Sequence, residues 1–313
     1  MADIKNIAVV GAGLMGQGIA QVFAAHGNKV SLTDVQEATL SDAIERIRSN
    51  LTLLAKHGIG TRKDIEPTLK RIHCTGDIKD ACSSADFVVE AVFEKLDLKQ
   101  KLFQELDAIC PKKTVLATNT SVISITEIAE KAKDRKRILG THFWNPPYLI
   151  PLVEVIKGKQ TSNAAMDLTV LLLKDIGKHP VRVNKDVPGF VGNRLQHALW
   201  REALSIVEKG IADAKTVDEC IRFGFGLRLP ILGPLENVDM VGTDLTLDIH
   251  RYLLRYLERS PEPSALLIEK VKRRELGFKT GKGYQKWTPE EAKQSRERLQ
   301  EYLINMIAKG NGP

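Results

Sequence analysis

The stretch Ile7-Ala8-Val9-Val10-Gly11-Ala12-Gly13-Leu14-Met15-Gly16 decides the fold, because an apolar strand runs directly into a Gly-x-Gly-x-x-Gly turn. Gly11 permits a tight turn, Gly13 lets backbone N–H groups approach a pyrophosphate, and Gly16 lets the next helix pack close to the strand. Asp34 closes the second predicted strand, where its carboxylate would accept hydrogen bonds from both ribose hydroxyls and repel a 2′-phosphate. The pattern therefore predicts NAD rather than NADP; the alternative is a plain glycine-rich loop beside a surface aspartate. The predicted cofactor-binding residues of this motif are Gly11, Gly13, Leu14, Met15, Gly16 and Asp34.

The composition is that of an ordinary globular protein. With 313 residues and 43% hydrophobic content, the chain can bury a sizeable core, and its length favours two domains. No stretch approaches the roughly 18 uninterrupted apolar residues of a membrane span, and the polar start lacks a secretory hydrophobic segment. We therefore expect no membrane association and a cytoplasmic location. The cysteines lie far apart without a Cys-x-x-Cys pair, which argues against a metal site and against a disulfide framework; they are Cys74, Cys82, Cys110 and Cys220.

The formal net charge of +7 raises the question of a nucleic-acid partner. Basic side chains gather at residues 131–137 and 270–274, but both runs carry or adjoin acidic residues in amphipathic helical contexts. Solvated helix faces therefore explain these runs better, and we expect no nucleic-acid partner. The same positive field would raise the local concentration of an anionic small-molecule substrate.

The first half of the chain alternates short β-rich runs with helical patterns. This alternation predicts an α/β fold with a Rossmann-like, mostly parallel sheet and helices on both of its faces. The strands are predicted at residues 6–10, 29–33, 71–75, 86–92, 114–118 and 137–143, and the helices at residues 16–26, 40–57, 62–70 and 98–109.

The strand signal stops after residues 179–183. Asp186-Val187-Pro188 then predicts the start of a long helix, because proline suits the first turn of a helix. The remaining sequence is mostly helical. The chain is therefore predicted to divide into an NAD-binding domain over residues 1–186 and an all-α substrate and dimerisation domain over residues 187–313.

Position favours His142 as a general base among the seven histidines. It lies near the end of the strand predicted at residues 137–143, and ligands of such sheets bind beyond the carboxyl ends of the strands. A neutral imidazole with a pKa of roughly 6.5 is suited to accept a hydroxyl proton near neutral pH. Glu154 lies in the middle of the apolar run 152–156, where an unpaired acid would be costly. A His142–Glu154 dyad meets both needs; the alternatives are a core histidine and a solvent-facing glutamate on an edge strand.

A polar segment, Thr118-Asn119-Thr120-Ser121, marks the end of another predicted strand. Ser121 would hydrogen-bond a substrate oxygen, whereas Asn119 and Thr120 would more naturally contact the cofactor or the backbone. The same residue types also form helix N-caps, so a simple cap before the next helix is an equal alternative for each of them. Asn193 is unfavourable inside a helix and would point back at the crevice, although it is a weak indication alone.

Segments of the chain from its start to near its end together resemble the 3-hydroxyacyl-CoA dehydrogenase family. The segments that carry the resemblance are residues 11–16, 89–94 with Lys99, 119–121, 142–146, 152–155, 186–190 with Asn193-Arg194, Gly233-Pro234 and 281–284. They follow one another in the family order, so the resemblance covers essentially the whole chain.

The resemblance implies NAD-dependent oxidation of the 3-hydroxyl of a 3-hydroxyacyl-CoA, such as hydroxybutyryl-CoA, to the 3-oxo compound, and the reverse. In such an enzyme His142 is the general base, Glu154 orients it, and Ser121 and Asn193 hold the substrate oxygen. The resemblance also implies contacts to the nicotinamide half of NAD from Glu94, Lys99 and Asn119. It further implies a homodimer formed through the C-terminal domain.

Two segments depart from the CoA enzymes of the family. Ile150-Pro151 stands where those enzymes carry Met and Lys, and residues 224–234 form a longer approach to Gly233-Pro234. Together with Asn145-Pro146-Pro147, these features are more similar to relatives that oxidise small free hydroxy acids, namely gulonate 3-dehydrogenase with lambda-crystallin, and carnitine dehydrogenase.

A free 3-hydroxy acid is therefore the alternative to a CoA thioester, with Asn145 and Arg228 as further predicted substrate contacts. Arg228 would supply a planar fork for a free carboxylate, or else form a surface or interdomain salt bridge. A non-catalytic, crystallin-type protein is a remote alternative, against which the intact catalytic set argues.

Overall fold

The structure, a computed structural model, describes residues 4–308. These residues form two compact units: one comprises residues 4–193 and 303–308, and the other comprises residues 194–302. The first unit contains the sheet, and the second is helical. The predicted domain limits, 1–186 and 187–313, stay a prediction.

The first unit is built on an eight-stranded sheet in the order β3-β2-β1-β4-β5-β6-β7-β8. Its strands are β1 Asn6–Val10, β2 Lys29–Thr33, β3 Ile72–Thr75, β4 Phe87–Glu90, β5 Val115–Thr118, β6 Ile138–Phe143, β7 Leu152–Ile156 and β8 His179–Val183. All neighbouring pairs are parallel except β6 and β7. The predicted mostly parallel, Rossmann-like sheet is confirmed, and the six predicted strands are present with the same or slightly shorter ends.

Helices cover both faces of this sheet. Those of the first unit are α1 Leu14–Ala25, α2 Glu37–Lys56, α3 Ile65–Leu69, α4 Ile78–Cys82, α5 Leu96–Ile109, α6 Ile125–Ile128 and α7 Asn163–Asp175. Strand β1 shows how the core divides: Ile7 and Val9 belong to one apolar cluster, whereas Ala8 and Val10 belong to another. Alternate residues are thus buried on opposite faces, as a parallel sheet between two helical layers requires.

The long helix predicted to open at residues 186–188 begins later, at Gly192, so that part of the prediction is wrong. Pro188 lies in a turn, and the two residues after it, Gly189 and Phe190, have positive φ angles of 75° and 51°. Left-handed residues cannot continue a right-handed helix. Proline suits a turn as well as a first helical turn, so its position did not distinguish them.

Residues 192–308 are mostly helical, as predicted. Its helices are α8 Gly192–Glu208, α9 Ala214–Phe223, α10 Pro234–Val241, α11 Thr243–Leu253, α12 Ala265–Lys272 and α13 Pro289–Ala308. Many large apolar side chains of residues 194–302 are exposed. Within residues 4–308, no helix combines the length and the apolar character needed to cross a membrane.

Candidate active site

The glycine turn joins β1 to α1 at the carboxyl edge of the sheet. Gly11 has a φ of 99°, and a Cβ on Gly16 would lie 1.7 Å from the Gly11 carbonyl oxygen, so the helix can come this close only with glycine. A Cβ on Gly13 would meet no described atom within 4 Å, so the backbone there faces open space. Helix α1 has no side-chain hydrogen bond at its N-cap, Gly13. Its first N–H groups are therefore suited to receive a pyrophosphate.

Asp34 directly follows β2 and lies beside this turn. Its Oδ2 accepts a hydrogen bond from Ala12 N at 2.8 Å, and its Oδ1 accepts one from Gln36 N at 3.1 Å. The carboxylate is thus fixed next to the pyrophosphate cradle, where an adjoining ribose would lie. Val35 and Gln36 bring no positive charge that a 2′-phosphate would need. The residues present therefore fit NAD.

Large apolar side chains are exposed along the same edge of the sheet. Leu14 starts α1 and is 58% exposed, and Val35 follows β2 and is 96% exposed. Phe93 follows β4 and is 80% exposed, and Val122 lies after β5 and is 45% exposed. Exposed apolar groups that gather in one place mark a surface that a ligand covers. Leu14 and Met15 begin α1 at this edge, with Met15 partly buried against the core, and their role as cofactor contacts stays a prediction.

A buried ion pair of Lys99 with Glu90 lies beneath this edge, and the more exposed Glu94 adjoins it. Lys99 is 1% exposed, and its Nζ donates to Glu90 Oε1 at 2.5 Å and lies 3.4 Å from Glu94 Oε2. Glu90, which ends β4, is 0% exposed and also accepts hydrogen bonds from Val92 N at 2.7 Å and from the Thr118 hydroxyl at 2.6 Å. The ammonium group of Lys99, predicted as a cofactor contact, is thus directed at two carboxylates of the protein.

Glu94 holds the turn that follows β5. Its Oε1 accepts hydrogen bonds from the Thr120 hydroxyl, from Ser121 N at 2.9 Å and from Val122 N at 3.2 Å. Burial raises the pKa of Glu94, but the Thr120 hydroxyl, the Lys99 charge and the two N–H groups outweigh burial and lower it. Glu94 is therefore an ionised acceptor. Its hydrogen bonds couple its position to that of Ser121.

The two predicted asparagines also hold backbone. Asn119 Oδ1 accepts a hydrogen bond from Phe143 N at 2.9 Å, which joins the ends of β5 and β6. Asn193 Nδ2 donates to the Ser121 carbonyl oxygen at 3.0 Å, although the two residues are far apart in the sequence. Both asparagines are 9% exposed. The structure thus brings Asn193 and Ser121 together, as predicted for a common site.

His142 and Glu154 are direct partners. They lie opposite each other in the antiparallel register of β6 and β7, and His142 Nδ1 is 2.8 Å from Glu154 Oε2. The other carboxylate oxygen, Oε1, accepts hydrogen bonds from Val191 N at 2.9 Å and Gly192 N at 3.0 Å. Both side chains are buried, and β7 lies between two strands, so the alternative of a solvent-facing glutamate on an edge strand is wrong.

The hydrogen bonds at Glu154 determine its charge. Burial raises its pKa, but the His142 imidazole and the N–H groups of Gly192 and Val191 outweigh burial and hold the pKa below its usual value. A carboxylate that stays ionised can only accept hydrogen bonds, so Nδ1 of His142 is the nitrogen that carries the proton. The tautomer thus leaves the lone pair of a neutral imidazole on Nε2.

Aromatic rings pack against the His142 imidazole. The Trp144 ring centroid lies 5.2 Å away and the Phe190 centroid 5.8 Å away, both in tilted arrangements. Gly192 allows this packing, because a Cβ there would lie 2.5 Å from Trp144 Cζ2. The left-handed turn at Phe190 therefore serves two purposes: it places one ring on His142, and it directs two backbone N–H groups at Glu154.

The two remaining predicted substrate residues are exposed. Asn145 directly follows Trp144, just after the end of β6, and a cis peptide bond joins it to Pro146. Arg228 lies in the second unit, directly after a 3-10 turn at Phe225–Leu227. Its role as a carboxylate contact stays a prediction. In the part of the chain that the structure describes, no group of three or more His, Cys, Asp or Glu side chains could hold a metal ion.

Sequence reasoning assigned no role to Glu90, Phe190 or Trp144. A signal existed for Glu90, since a glutamate that closes the apolar strand Phe87–Glu90 needs a buried partner. The signal for Phe190 was weak, because nothing local indicates a phenylalanine with positive φ.

Comparisons with known proteins give the family of this chain. The family model for the NAD binding domain of 3-hydroxyacyl-CoA dehydrogenase matches residues 6–187, and the model for its C-terminal domain matches residues 189–287. The chain is 38% identical to the probable 3-hydroxybutyryl-CoA dehydrogenase of Bacillus subtilis, over 90% of this chain and 97% of that protein. It is 36% identical to 5-formyl-3-hydroxy-2-methylpyridine 4-carboxylate 5-dehydrogenase of Mesorhizobium japonicum, over 93% of each.

A solved structure shows a similar fold over the same length. It is a 5-formyl-3-hydroxy-2-methylpyridine 4-carboxylic acid 5-dehydrogenase, described as an NAD+ dependent dismutase, with a TM-score of 0.90 and 34% identity over 98% of this chain and 99% of that chain. The protein is therefore an NAD-dependent oxidoreductase that acts on a CH–OH group, and the chain belongs to the 3-hydroxyacyl-CoA dehydrogenase family.

Proposed function

We propose that the protein interconverts a 3-hydroxyacyl-CoA of the hydroxybutyryl-CoA type and the corresponding 3-oxoacyl-CoA. The observation that carries the proposal is the buried His142–Glu154 pair, with a distance of 2.8 Å between Nδ1 and Oε2. The pair lies where β6 ends, at the same edge of the sheet as the glycine turn between β1 and α1. A base and a dinucleotide site at one edge are what oxidation of an alcohol requires.

His142 moves the proton in the proposed reaction. With the Nδ1 proton held by Glu154, Nε2 accepts the proton of the substrate hydroxyl as the carbon loses hydride. NAD, when bound, supplies the hydride acceptor. The Glu154 carboxylate stabilises the imidazolium that forms, and the Val191 and Gly192 N–H groups keep that carboxylate in place. In the reverse direction His142 returns the proton to the carbonyl oxygen.

We propose that Ser121 and Asn193 hold the substrate oxygen while His142 exchanges the proton. The backbone of Ser121 is fixed at its N–H by Glu94 and at its carbonyl by Asn193. A hydroxyl on such a fixed turn can donate to the substrate oxygen in both the alcohol and the ketone state. Asn193 thereby contributes by holding Ser121, in addition to any direct contact with the substrate.

A second substrate class has a specific observation in its favour. The Mesorhizobium japonicum relative acts on a pyridine carboxylate, and the solved 5-dehydrogenase of that activity covers 98% of this chain. The departures at Ile150-Pro151 and at residues 224–234 are consistent with a small free carboxylate, for which Arg228 would be the fork. A small carboxylated alcohol or aldehyde is therefore the second candidate.

A substrate panel tests the proposal. Consumption of NADH is measured with acetoacetyl-CoA, free acetoacetate, 3-dehydrocarnitine and a dehydrogulonate, and reduction of NAD with 5-formyl-3-hydroxy-2-methylpyridine 4-carboxylate. A kcat/KM for acetoacetyl-CoA that exceeds every free acid by at least about tenfold supports the CoA thioester. The opposite ranking supports the second candidate, and no turnover with any compound overturns both.

We also propose a homodimer and a cytoplasmic location. Exposed apolar side chains along α10 and α11 support a second copy of this chain as the partner; they include Leu235, Met240, Val241, Leu245, Ile249 and Tyr252. Sedimentation velocity should give twice the monomer mass of 34.8 kDa, and a single 34.8 kDa species would contradict the dimer. All four cysteines are free, which is consistent with a reducing compartment and is tested by cell fractionation.

A further inference from the structure

The 186–193 segment runs from just after β8 into the first turn of α8 and follows an irregular path. Within it, Gly189 and Phe190 have positive φ angles of 75° and 51°. The left-handed region is unfavourable for a residue with a side chain as large as phenylalanine, so this conformation costs energy. It persists only where the surrounding contacts impose it. The contacts at the two ends of the segment therefore show how Phe190 is kept in place.

At the first end of the segment, Asp186 is bound to the start of α6. Its Oδ2 accepts hydrogen bonds from the Ser124 hydroxyl at 2.6 Å and from Thr126 N at 2.7 Å, and its Oδ1 accepts one from Ile125 N at 3.1 Å. The N–H groups at the start of a helix have no partner within the helix, so a carboxylate is a suitable acceptor for them. Asp186 thus ties the 186–193 segment to residues that precede it by 60 to 62 positions.

Capping of α6 alone does not explain this aspartate. Ser124 is already the N-cap of α6, because its hydroxyl oxygen accepts a hydrogen bond from Glu127 N at 3.3 Å. The bonds to Asp186 come in addition to that cap, and they require a distant segment to be ordered. The arrangement therefore indicates a role for Asp186 at the 186–193 segment itself.

At the second end of the segment, Asn193 is bound to the same part of the chain. Its Nδ2 donates to the Ser121 carbonyl oxygen at 3.0 Å. Residues 121–126 thus hold both ends of the 186–193 segment, at Asp186 and at Asn193. Fixing both ends of a short segment leaves the residues between them few conformations.

The residues between the two ties contact both members of the dyad. The Phe190 ring centroid lies 5.8 Å from that of His142. Val191 N and Gly192 N donate to Glu154 Oε1 at 2.9 and 3.0 Å. The positions of this ring and of these two N–H groups therefore depend on the ties at the ends of the segment.

We propose that Asp186 is a positioning residue, which fixes the 186–193 segment so that this segment holds the His142–Glu154 dyad. The proposal rests on the function proposed above for that dyad. Without the carboxylate the first tie is lost, and Phe190 can relax from its left-handed conformation. The N–H groups of residues 191 and 192 would then leave Glu154 for part of the time, and the His142 imidazole would lose its fixed orientation.

Two variants of Asp186 remove the first tie to different degrees. Asp186→Ala removes all three of its hydrogen bonds. Asp186→Asn, with its oxygen in place of Oδ2, keeps the bonds from Ser124 and Thr126 and loses only the one from Ile125 N. The asparagine variant is therefore the conservative one.

The matched control is Asp86→Ala. Asp86 also holds a distant part of the chain, because its Oδ2 accepts hydrogen bonds from Lys5 N at 3.2 Å, from Asn6 N at 3.1 Å and from Asn6 Nδ2 at 3.3 Å. Its Oδ1 lies 3.4 Å from Lys113 Nζ, so its loss is at least as disruptive. Asp86 directly precedes β4, at the opposite edge of the sheet from the dyad. Only Asp186→Ala removes the first tie.

Hydrogen exchange of the protein without cofactor gives a readout besides activity. We expect the peptide containing Val191 and Gly192 to exchange at least about tenfold faster in Asp186→Ala than in the native protein. Exchange of this peptide should be about two- to fivefold faster in Asp186→Asn and native in Asp86→Ala. These two amides donate to Glu154 and not to Asp186, so faster exchange reports a displaced segment rather than the deleted bonds themselves.

Steady-state kinetics test whether the dyad depends on this segment. At a temperature where circular dichroism shows every variant to be folded, kcat for acetoacetyl-CoA reduction should fall about 10-fold to 100-fold in Asp186→Ala. It should fall less than about threefold in Asp86→Ala. The kcat of Asp186→Asn should lie between these two, as expected of a partial tie.

Each contrary result has a defined meaning. Native exchange at residues 191–192 in Asp186→Ala overturns the proposal. Faster exchange with native kcat also overturns it, because the segment would then not serve the dyad, and equal losses of kcat in Asp186→Ala and Asp86→Ala would indicate a merely structural role. If the native protein reduced none of the substrates, the proposed function would fail, while the exchange result would still decide whether Asp186 fixes the segment. Should Asp186→Ala not fold, Asp186→Asn decides, and native exchange at residues 191–192 in that variant overturns the proposal.

Discussion

Replacing Glu154 by Gln should invert the tautomer of His142. In the native site Oε1 of Glu154 faces the N–H groups of Val191 and Gly192 at 2.9 and 3.0 Å, and Oε2 faces Nδ1 of His142 at 2.8 Å. A glutamine that keeps its oxygen towards the two N–H groups presents its NH2 group to Nδ1. Nδ1 must then accept, so the proton moves to Nε2, and the imidazole can no longer take the hydroxyl proton.

The size of the effect follows from the alternative orientation of the amide. Turning it over restores the native tautomer but directs the NH2 group at the two backbone donors. An unsatisfied buried donor costs about 1–3 kcal/mol. Two such donors, the N–H groups of Val191 and Gly192, therefore place the form with the native tautomer about 2–6 kcal/mol above the form with the inverted tautomer. This difference corresponds to a population loss between about 30-fold and on the order of 10⁴-fold. We expect kcat of Glu154→Gln to fall within that range.

The assay is the initial rate of acetoacetyl-CoA reduction, followed through NADH absorbance across a range of pH. The Kd for NADH should change by less than about threefold, since both carboxylate oxygens of Glu154 are taken up by His142 and by the N–H groups of Val191 and Gly192. In this direction His142 must be protonated to give up its proton, so the alkaline limb of the kcat profile should move to lower pH when the imidazolium loses its counter-charge. The exposed Glu45→Gln substitution is the control and should leave both quantities unchanged. A kcat for Glu154→Gln within about threefold of the native value would refute the tautomer argument.

Three other predictions concern the cofactor edge and stability. Asp34→Ser should lower the ratio of kcat/KM with NADH to kcat/KM with NADPH by at least about tenfold, and an unchanged ratio would show that Asp34 does not contact the ribose. Gly16→Ala would place a Cβ 1.7 Å from the Gly11 carbonyl oxygen, so calorimetric titration should show NADH affinity reduced by at least about tenfold, with native affinity as the contrary result. The folded-state pKa of Glu154 lies below its ordinary value of 4.5, so its contribution to the free energy of unfolding is present above pH 4.5 and is lost as the pH falls through the lower folded pKa. The free energies of unfolding of the wild type and Glu154→Gln, measured by urea titration, should converge over that acid range. A constant difference between them would contradict the lowered pKa of Glu154.

The cofactor edge was predictable because its signals are local. The spacing of the three glycines follows from the geometry of one strand, one turn and one helix, and Asp34 follows from the end of the next strand. The six strands were also predictable, since strands of a parallel sheet are short runs rich in apolar residues between helical patterns.

The dyad was predictable in its residues but not in its geometry. That Glu154 needs a partner follows from its place in an apolar strand, but the pairing depends on an antiparallel register between β6 and β7. The turn before α8 was mispredicted for a related reason. Its left-handed Phe190 packs on His142, and the N–H groups just after it bind Glu154, and both are tertiary contacts.

The predicted role of Lys99 shows where sequence reasoning reaches its limit. A lysine near the cofactor edge is equally compatible with a contact to the dinucleotide and with a buried ion pair, since both need a positive charge at that place. Its 1% exposure and its distances to Glu90 and Glu94 depend on tertiary packing that the sequence does not show, and its contact to the dinucleotide stays a prediction.

The central claim is that His142 carries the proton of the reaction, and His142→Gln tests it most directly. Steady-state reduction of acetoacetyl-CoA should show kcat lowered by on the order of 10²-fold or more, because glutamine cannot act as an acid or base. The Kd for NADH, measured on the same preparation, should be nearly native. A variant that binds NADH normally and keeps the native kcat would remove His142 from the reaction and contradict the proposed mechanism.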